Sequence, residues 1–348
     1  MTLPNTYTAA LLLTVLSMIC WGSWANTLKL SGNRRFELFY FDYSIGVLLA
    51  ATISAFTFGT LGYDSFAFID DLMRAGKRNI ALGFGAGVIF NLANMLLVAA
   101  ISVAGMSVAF PVGIGLALVI GVVWNYILNP QGNAPLLFTG AGLVVLAIVV
   151  DALAYHALAF QREEEKIKAG MSRTLRPKVS FKGIFLSLAS GLLMGSFYPL
   201  VEMGKAGDAG LGPYAIAFVF ALGIFTSTFV FNLYFMNLPI QGEPVEILDY
   251  FRATLQQHLL GVAGGIIWAT GTIANFVAAS APQEIQVGPA ISYAIGQGAT
   301  MVSALWGLLL WKEFAGARSR VKTMLVLMFL LFLSGLGLVS IAPLYAPR

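Results

Sequence analysis

The residues best suited to chemistry in this sequence are carboxylic acids within long apolar runs. Asp42, Asp151 and Glu202 each occupy such a position. A charge inside hydrocarbon costs several kcal/mol, so an acid there is a functional candidate by default. One carboxyl group that changes its protonation state is enough to couple a proton to another movement across a membrane. We therefore expect Asp42, and after it Asp151, to carry a proton.

Asp42 also has a structural alternative. It lies about two turns into its predicted helix, where it could merely pair with Lys29, Arg34 or Arg35 near the membrane surface. The residue types alone do not separate a proton carrier from an ion pair at this position.

The other two acids have structural alternatives as well. Glu202 precedes Lys205 by three residues, a spacing that brings two side chains together on one helix face. We expect a structural ion pair there rather than a proton site. Asp151 could be satisfied by Tyr155 or His156 one turn further on.

Neutral polar and aromatic side chains in the same apolar runs form a second group of candidates. Amides both donate and accept hydrogen bonds, which suits hydroxyl and ureido groups, and aromatic rings can stack on a planar ring or a sugar face. The alternative is that these residues join helices or pack in interfacial belts. The polar set is Asn91, Asn94, Thr270, Thr272, Asn275, Gln286, Ser292, Tyr293 and Gln297, and the aromatic set is Trp21, Trp24, Phe90, Trp124 and Trp268. The residues that we expect to bind substrate are Asn91, Asn94, Phe90, Trp268, Thr272, Tyr293, Gln297 and Trp24.

The composition excludes most classes of protein that could hold these residues. Of 348 residues, 58% are hydrophobic and only 10% are charged, whereas a soluble domain is about 25% charged. A soluble enzyme and a nucleic-acid binder are thereby excluded. No pattern indicates a catalytic set, a metal site or a cofactor. Because a membrane helix needs about 20 apolar residues, the chain can supply about ten of them.

The apolar runs predict an all-α, multi-pass membrane protein with ten helices. The predicted spans are 8–31, 36–60, 79–103, 106–128, 135–158, 183–204, 212–237, 258–281, 285–310 and 319–342. The charged segment 159–182 is predicted to be a linker loop between a first unit of five helices, 1–158, and a second, 183–348.

The distribution of Lys and Arg predicts the orientation in the membrane. Of the 20 cations, 15 fall on the side of the linker and 5 on the side of the two termini. Positive residues favour the cytoplasm, so we expect a cytoplasmic linker and both termini outside, in a cell membrane, or in the inner membrane if the source is bacterial. The cluster Arg74, Lys77 and Arg78 runs against this assignment.

An internal repeat relates the two units. The segment 87–90, Gly-Val-Ile-Phe, matches 265–268, Gly-Ile-Ile-Trp, and Pro111 matches Pro289, all at a shift of 178 residues. Because each unit has an odd number of helices, the second enters the membrane in the opposite sense. An inverted repeat of this kind is typical of alternating-access transporters with a site between the halves. Pro111 and Pro289 each remove a backbone bond, so we expect them to break the fourth and ninth helices.

The sequence resembles the ureide permeases, within the drug/metabolite transporter superfamily that also includes the rhamnose and glucose/ribose porters. The blocks that carry the resemblance are 41–44, Phe-Asp-Tyr-Ser; 58–62, Phe-Gly-Thr-Leu-Gly; 85–94; 125–128, Asn-Tyr-Ile-Leu; and 310–313, Leu-Trp-Lys-Glu. The resemblance implies ten helices in two inverted repeats of five, a central substrate site and, in importers, a proton gradient as the driving force.

Two departures from the plant family bear on the substrate. The plant proteins resemble one another in a G-x-x-x-x-G-K-[ST] string in the central loop, and 159–182 has none, so no nucleotide site carries over. The plant family also looks acidic early in the fourth helix, where this chain reads Val-Ala-Phe-Pro-Val-Gly at 108–113. The glycines that follow are similar to the rhamnose-porter pattern.

These observations together predict a secondary transporter that imports a small neutral polar metabolite by proton symport, as a monomer or homodimer. A monosaccharide is the first choice of substrate. The alternatives are a ureide or nucleobase such as allantoin, uracil or xanthine, and export of drugs or amino acids as in other members of the superfamily. No nucleic acid or cofactor is expected as a partner.

Overall fold

A computed structural model describes residues 1–32, 34–104, 106–168, 181–239, 243–282 and 285–345. These residues form helices and turns and contain no β-strand. In chain order the helices are α1 (Tyr7–Ser23), α2 (Ala25–Leu30), α3 (Phe36–Phe56), α4 (Phe58–Leu61), α5 (Phe68–Arg74), α6 (Lys77–Ala104), α7 (Met106–Leu128), α8 (Ala134–Lys168), α9 (Phe181–Lys205), α10 (Pro213–Asn237), α11 (Leu248–Phe251), α12 (Leu255–Ala278), α13 (Pro289–Gly296), α14 (Ala299–Leu309) and α15 (Ser319–Ile341), followed by a 3-10 turn (Ala342–Tyr345).

Eight helical segments of the described residues are long and apolar enough to cross a membrane. They are Tyr7–Leu30, Phe36–Leu61, Lys77–Ile101, Ala134–Lys168, Phe181–Lys205, Pro213–Asn237, Leu255–Ala278 and Ser319–Tyr345. Of the two remaining predicted spans, 106–128 corresponds to α7, Met106–Leu128, and 285–310 is divided into α13 and α14. Large apolar side chains such as Leu12, Ile53 and Leu333 stay more than half exposed, as a lipid-facing surface requires.

The fifth predicted span is longer than expected. Helix α8 continues to Lys168, into the segment predicted as a loop, and the rest of that segment up to 180 lies outside the described residues. Glu and Lys are good helix formers, and the amide of Gln161 donates to Glu165 one turn on, 2.9 Å away. The buried side chain of Leu158 packs with Val321 of α15, so tertiary contact supports the extension.

The bundle has two ends, of which the first holds the start of α1 and the end of α15 and is called here the terminal end. There the hydroxyl of Tyr7 donates to the carbonyl of Ser340 at 2.6 Å, and the hydroxyl of Tyr214 donates to the carbonyl of Thr2 at 2.9 Å. These bonds tie the first residues to α15 and to the start of α10.

The opposite end, called here the linker end, holds the end of α8 and the start of α9. Gln161 of α8 donates to the carbonyl of Gly316 at 2.8 Å, and Arg318 pairs with Glu164 at 2.8 Å. The turn before α15 is thereby fixed to the end of α8.

Two close helix crossings at glycines shape the interior. A side chain at Gly46 of α3 would collide with the carbonyl of Val262 on α12, and one at Gly87 of α6 would collide with the carbonyl of Phe220 on α10. In each crossing the facing surface also presents a glycine, Gly265 or Gly223. Backbones can approach this closely only where no Cβ intervenes, so the glycines bring α3 to α12 and α6 to α10.

Candidate functional site

An aromatic centre lies between α6 and α12. The rings of Phe90 and Trp268 stack with centroids 4.5 Å apart and planes inclined by 27°, and each residue is only 5% exposed. The expectation that these two repeat-related rings lie on facing helices agrees with this geometry. A planar molecule can bind between them only if they separate. The rings packed around this pair are Trp21, Tyr43, Phe197 and Phe220.

A buried polar network adjoins the aromatic centre. The hydroxyl of Tyr198 donates to Asn275 at 2.5 Å, and the amide of Asn275 donates to Ser17 at 3.0 Å and to the carbonyl of Ser292 at 3.1 Å. The network joins α1, α9, α12 and α13. Asn275 and Ser292 belong to the predicted polar set, whereas Tyr198 was not predicted, because nothing in its local sequence shows which helix its hydroxyl faces.

The two predicted asparagines of α6 turn to different partners. The amide of Asn91 donates to Ser227 at 2.8 Å and to Thr228 at 3.2 Å, both on α10, so this side chain joins two helices. The amide of Asn94 donates to the hydroxyl of Tyr40 on α3 at 3.1 Å. Asn94 therefore faces α3, whereas Asn91 faces α10.

Three further predicted binding residues surround the same centre. Thr272 accepts from the indole of Trp21 at 3.0 Å. Trp24 lies against Tyr43 with ring centroids 5.0 Å apart. Tyr293 is fully buried, and its hydroxyl points to the carbonyl of Ala117 at 3.4 Å.

Gln297 is the remaining predicted binding residue and lies where the ninth span is interrupted. It caps the end of α13, and α14 begins two residues later. The structure differs here from the expected role of Pro289: this proline is the first residue of α13 and follows Gly288, whose φ is 85°. A proline at the first helical position costs no backbone bond, so the interruption falls at Gln297 and Gly298 instead.

The other prolines differ in their setting. Pro111 lies within α7, and its side chain lies outside what the structure describes. Pro199, which was not predicted, lies inside α9 beside Tyr198 and is buried. It has no N–H to donate to the carbonyl of Gly195, so it weakens α9 next to the polar network.

Asp42 lies near the linker end in a cluster of ionic and polar groups. Its carboxylate accepts from Arg34 at 2.8 Å, from His258 at 2.8 Å and from the hydroxyl of Tyr250 at 2.5 Å. The side chains of Arg34 and Asp42 are only 3% and 4% exposed. Burial and the bond to Asp42 raise the pKa of Tyr250, which lies outside the spanning helices. The cluster joins α3, α11 and the start of α12. The local alternative for Asp42, pairing with Arg34, is present in this arrangement.

The second candidate acid, Asp151, has a different environment. It is 7% exposed, and its Oδ1 atom has no hydrogen-bond partner among the described residues. Tyr155, one turn on, instead donates to Glu313 at 3.0 Å. Glu313 also pairs with Lys29, which fixes the turn after α14 to α2 at the linker end.

The terminal end holds an open cavity of about 590 Å³, and a smaller one of about 450 Å³ lies at the linker end beside Lys29 and Arg34. Glu202 and Lys205 line the larger cavity and form the ion pair expected from their spacing, 2.8 Å long. Asp71 lines it from α5 and accepts from the backbone N–H of Gly212 at 2.8 Å, and burial raises the pKa of this carboxyl. Gln286, just before α13, is a further lining residue. The larger cavity therefore lies where α9 and α12 end and α10 and α13 begin.

In the part of the chain that the structure describes, no three His, Cys, Asp or Glu side chains are grouped so that they could hold a metal ion. The lone Cys20 is partly buried in α1.

Comparisons with known proteins agree with the membrane fold. A family model described as Ureide permease matches residues 39–180. The chain is similar to Ureide permease 2 of Arabidopsis thaliana, at 25% identity over 93% of each chain, and to Probable ureide permease A3 of Vigna unguiculata, at 22% identity over 82% of this chain and 89% of that one. One solved crystal structure matches with a TM-score of 0.60 at 16% identity, over 95% of this chain and 96% of the other, and this likeness concerns the fold alone. The resemblance to the ureide permeases is confirmed, and the chain is a multi-pass membrane protein.

Proposed function

We propose that this chain is a secondary transporter that carries small ureide-like molecules across a membrane by alternating access. The observation that carries the proposal is the stacked pair Phe90 and Trp268, which lies buried between the cavity at the terminal end and the ionic cluster of Asp42 near the linker end. A site that opens first to one side and then to the other requires such an arrangement.

The chemistry of the centre suits a ureide. A cyclic ureide is flat and polar and presents both N–H donors and carbonyl acceptors. Aromatic faces at Phe90 and Trp268 can cover its plane, while amides such as Asn94 can both donate to it and accept from it. Trp24, Thr272, Tyr293 and Gln297 complete the proposed set, and Asn91 acts on it through the position of α6.

The names of the curated relatives favour a ureide over a monosaccharide. The first choice from the sequence was a monosaccharide, because the fourth helix departs from the ureide pattern, whereas the relatives described above are named as ureide permeases. Sugars therefore serve as the negative controls for the proposal.

The inverted five-plus-five repeat is part of the proposal. Gly87 and Gly265 are related by the shift of 178 residues, and each lies at a close crossing with a neighbouring helix. The facing glycines, Gly223 and Gly46, differ in number by 177, close to the same shift. The support lies in this correspondence of crossings, α6 with α10 in one case and α12 with α3 in the other.

Proton coupling and orientation complete the proposed mechanism. Movement of a proton with the substrate would need an acid that changes its protonation state in the membrane, and Asp42 is the first candidate because its buried carboxylate binds both Arg34 and His258 near the linker end. Asp151 is the second, since one of its oxygens is buried and unpaired among the described residues. We place the terminal end outside, on the distribution of cations.

Ligand-dependent melting of the purified protein tests the proposed substrate. Allantoin, uracil and xanthine are expected to raise the melting temperature, because a ligand that binds only the folded state stabilises it, while glucose and ribose are expected to leave it unchanged. The variant Trp268→Leu should weaken the binding of allantoin about three- to tenfold through loss of the stacked face. Trp306→Leu is the matched control, since Trp306 is 38% exposed and lies on α14. A shift with glucose and none with any ureide or nucleobase would overturn the proposal.

A further inference from the structure

Tyr43 carries a buried hydroxyl that makes no hydrogen bond to any residue that the structure describes. The residue is fully buried, and its Oη atom has no hydrogen-bond partner among the residues that the structure describes. A polar atom left in this state lowers the stability of a protein, so such atoms are rare and call for an explanation. Its neighbour Tyr40, also fully buried, has a partner in Asn94 at 3.1 Å.

The ring that carries this hydroxyl belongs to the aromatic centre. The ring of Tyr43 is 4.8 Å from that of Tyr40, 5.0 Å from that of Trp24 and 6.2 Å from that of Trp268. Trp268 in turn stacks on Phe90. A molecule that parts the Phe90 and Trp268 rings therefore comes within reach of the Tyr43 side chain.

The contact between Tyr43 and Trp268 has a counterpart in the other half of the molecule, where a phenylalanine takes the place of the tyrosine. The rings of Tyr43 and Trp268 are 6.2 Å apart and inclined by 50°, and those of Phe220 and Phe90 are 5.7 Å apart and inclined by 48°. Tyr43 and Phe220 each stand three residues before a crossing glycine, Gly46 and Gly223 respectively. Packing at this position is thus satisfied by phenylalanine in one half of the molecule, so packing does not require the hydroxyl in the other.

We infer that the Tyr43 hydroxyl is a specificity-determining group that donates a hydrogen bond to a carbonyl oxygen of the substrate when the Phe90 and Trp268 rings separate. The ligand class is a flat ring with a carbonyl acceptor at its edge, such as a cyclic ureide or an oxopyrimidine. The inference rests on the proposed function and adds to it the residue that hydrogen-bonds to the edge of the substrate ring. The Tyr43 hydroxyl has one hydrogen to donate and no acceptor among the described residues, so the bond formed on binding replaces none of the bonds described in the ligand-free protein.

The test compares Tyr43→Phe with Tyr7→Phe. Both variants remove one hydroxyl and keep the ring, but the hydroxyl of Tyr7 is bonded to Ser340 at 2.6 Å, far from the aromatic centre. Without ligand, Tyr43→Phe is expected to melt at the wild-type temperature or above it, and Tyr7→Phe below it. With allantoin or uracil, Tyr43→Phe is expected to bind about three- to tenfold more weakly than the wild type, whereas Tyr7→Phe binds with unchanged affinity.

The outcomes separate this inference from the proposed function. Equal affinity of the wild type and Tyr43→Phe for both ligands would overturn the role of Tyr43 and leave the transporter of ureides standing. A lower melting temperature of ligand-free Tyr43→Phe would equally overturn it, because the hydroxyl would then have a structural partner. No binding of either ligand to the wild type would overturn the proposed function, and the role of Tyr43 would fall with it.

Discussion

The carboxylate of Asp42 is the residue on which the proposed coupling depends. Replacing it in Asp42→Asn keeps the shape of the side chain but leaves the buried guanidinium of Arg34 without a counter-charge. Loss of one partner of a buried pair costs about 3–5 kcal/mol, so the linker end should open more readily and the melting temperature should fall. In liposomes with an imposed pH gradient, the variant is expected to lose uphill accumulation of labelled substrate while it retains exchange.

Asp249→Asn is the matched control for that experiment. Asp249 pairs with Arg252 at 2.7 Å on the same side, but the two side chains are 37% and 73% exposed. An exposed pair contributes about 0–1 kcal/mol, so this variant should accumulate substrate normally. Full accumulation by Asp42→Asn would exclude Asp42 as the proton carrier and leave Asp151 as the candidate. If transport by the wild type does not depend on the pH gradient, the protein is a uniporter.

At the scale of the helices, the close crossings predict that alanine substitutions at two glycines of α6 have very different effects on stability. A methyl group at Gly87 would meet the backbone carbonyl of Phe220, whereas a methyl group at Gly85 would meet no atom within 4 Å. Gly87→Ala is therefore expected to destabilise the protein by about 1–3 kcal/mol through overpacking, and Gly85→Ala to be neutral or stabilising, since alanine is the better helix former. Thermal unfolding in one detergent measures both.

Transport by the same two variants tests whether the crossing matters beyond stability. If α6 moves against α10 as the site opens, Gly87→Ala should transport more slowly even at a temperature where it remains folded. Equal melting temperatures for the two variants would contradict the packing of α6 on α10 through Gly87 and Gly223.

At the scale of the whole molecule, cysteine labelling tests the predicted orientation in the membrane. In a Cys20→Ala background, Ser65→Cys places a thiol at the cavity of the terminal end, and Lys166→Cys places one on the exposed end of α8. An impermeant maleimide is expected to label Ser65→Cys in intact cells and Lys166→Cys only after permeabilisation. The reverse pattern would place the linker end outside and contradict the orientation assigned from the cations.

The sequence by itself determined where most of the membrane-spanning helices lie, because a long apolar run must become a helix in a membrane. The predicted span 258–281 became α12, Leu255–Ala278. The spans on either side of the predicted linker, 135–158 and 183–204, became α8 and α9. The expected pair of Glu202 and Lys205 also formed, since three residues on one helix fix the separation of two side chains. Local spacing was sufficient in each of these cases.

Only the tertiary structure decided which distant groups meet. Asp42 and His258 are 216 positions apart and Tyr198 and Asn275 are 77 apart, and no helical period connects either pair. The approach of Phe90 to Trp268 was expected from the repeat, but the unpaired hydroxyl of Tyr43 beside them was not. A side chain in a fully apolar helix can face lipid or protein with equal ease as far as its neighbours in sequence show, and its partner is fixed only when the helices pack.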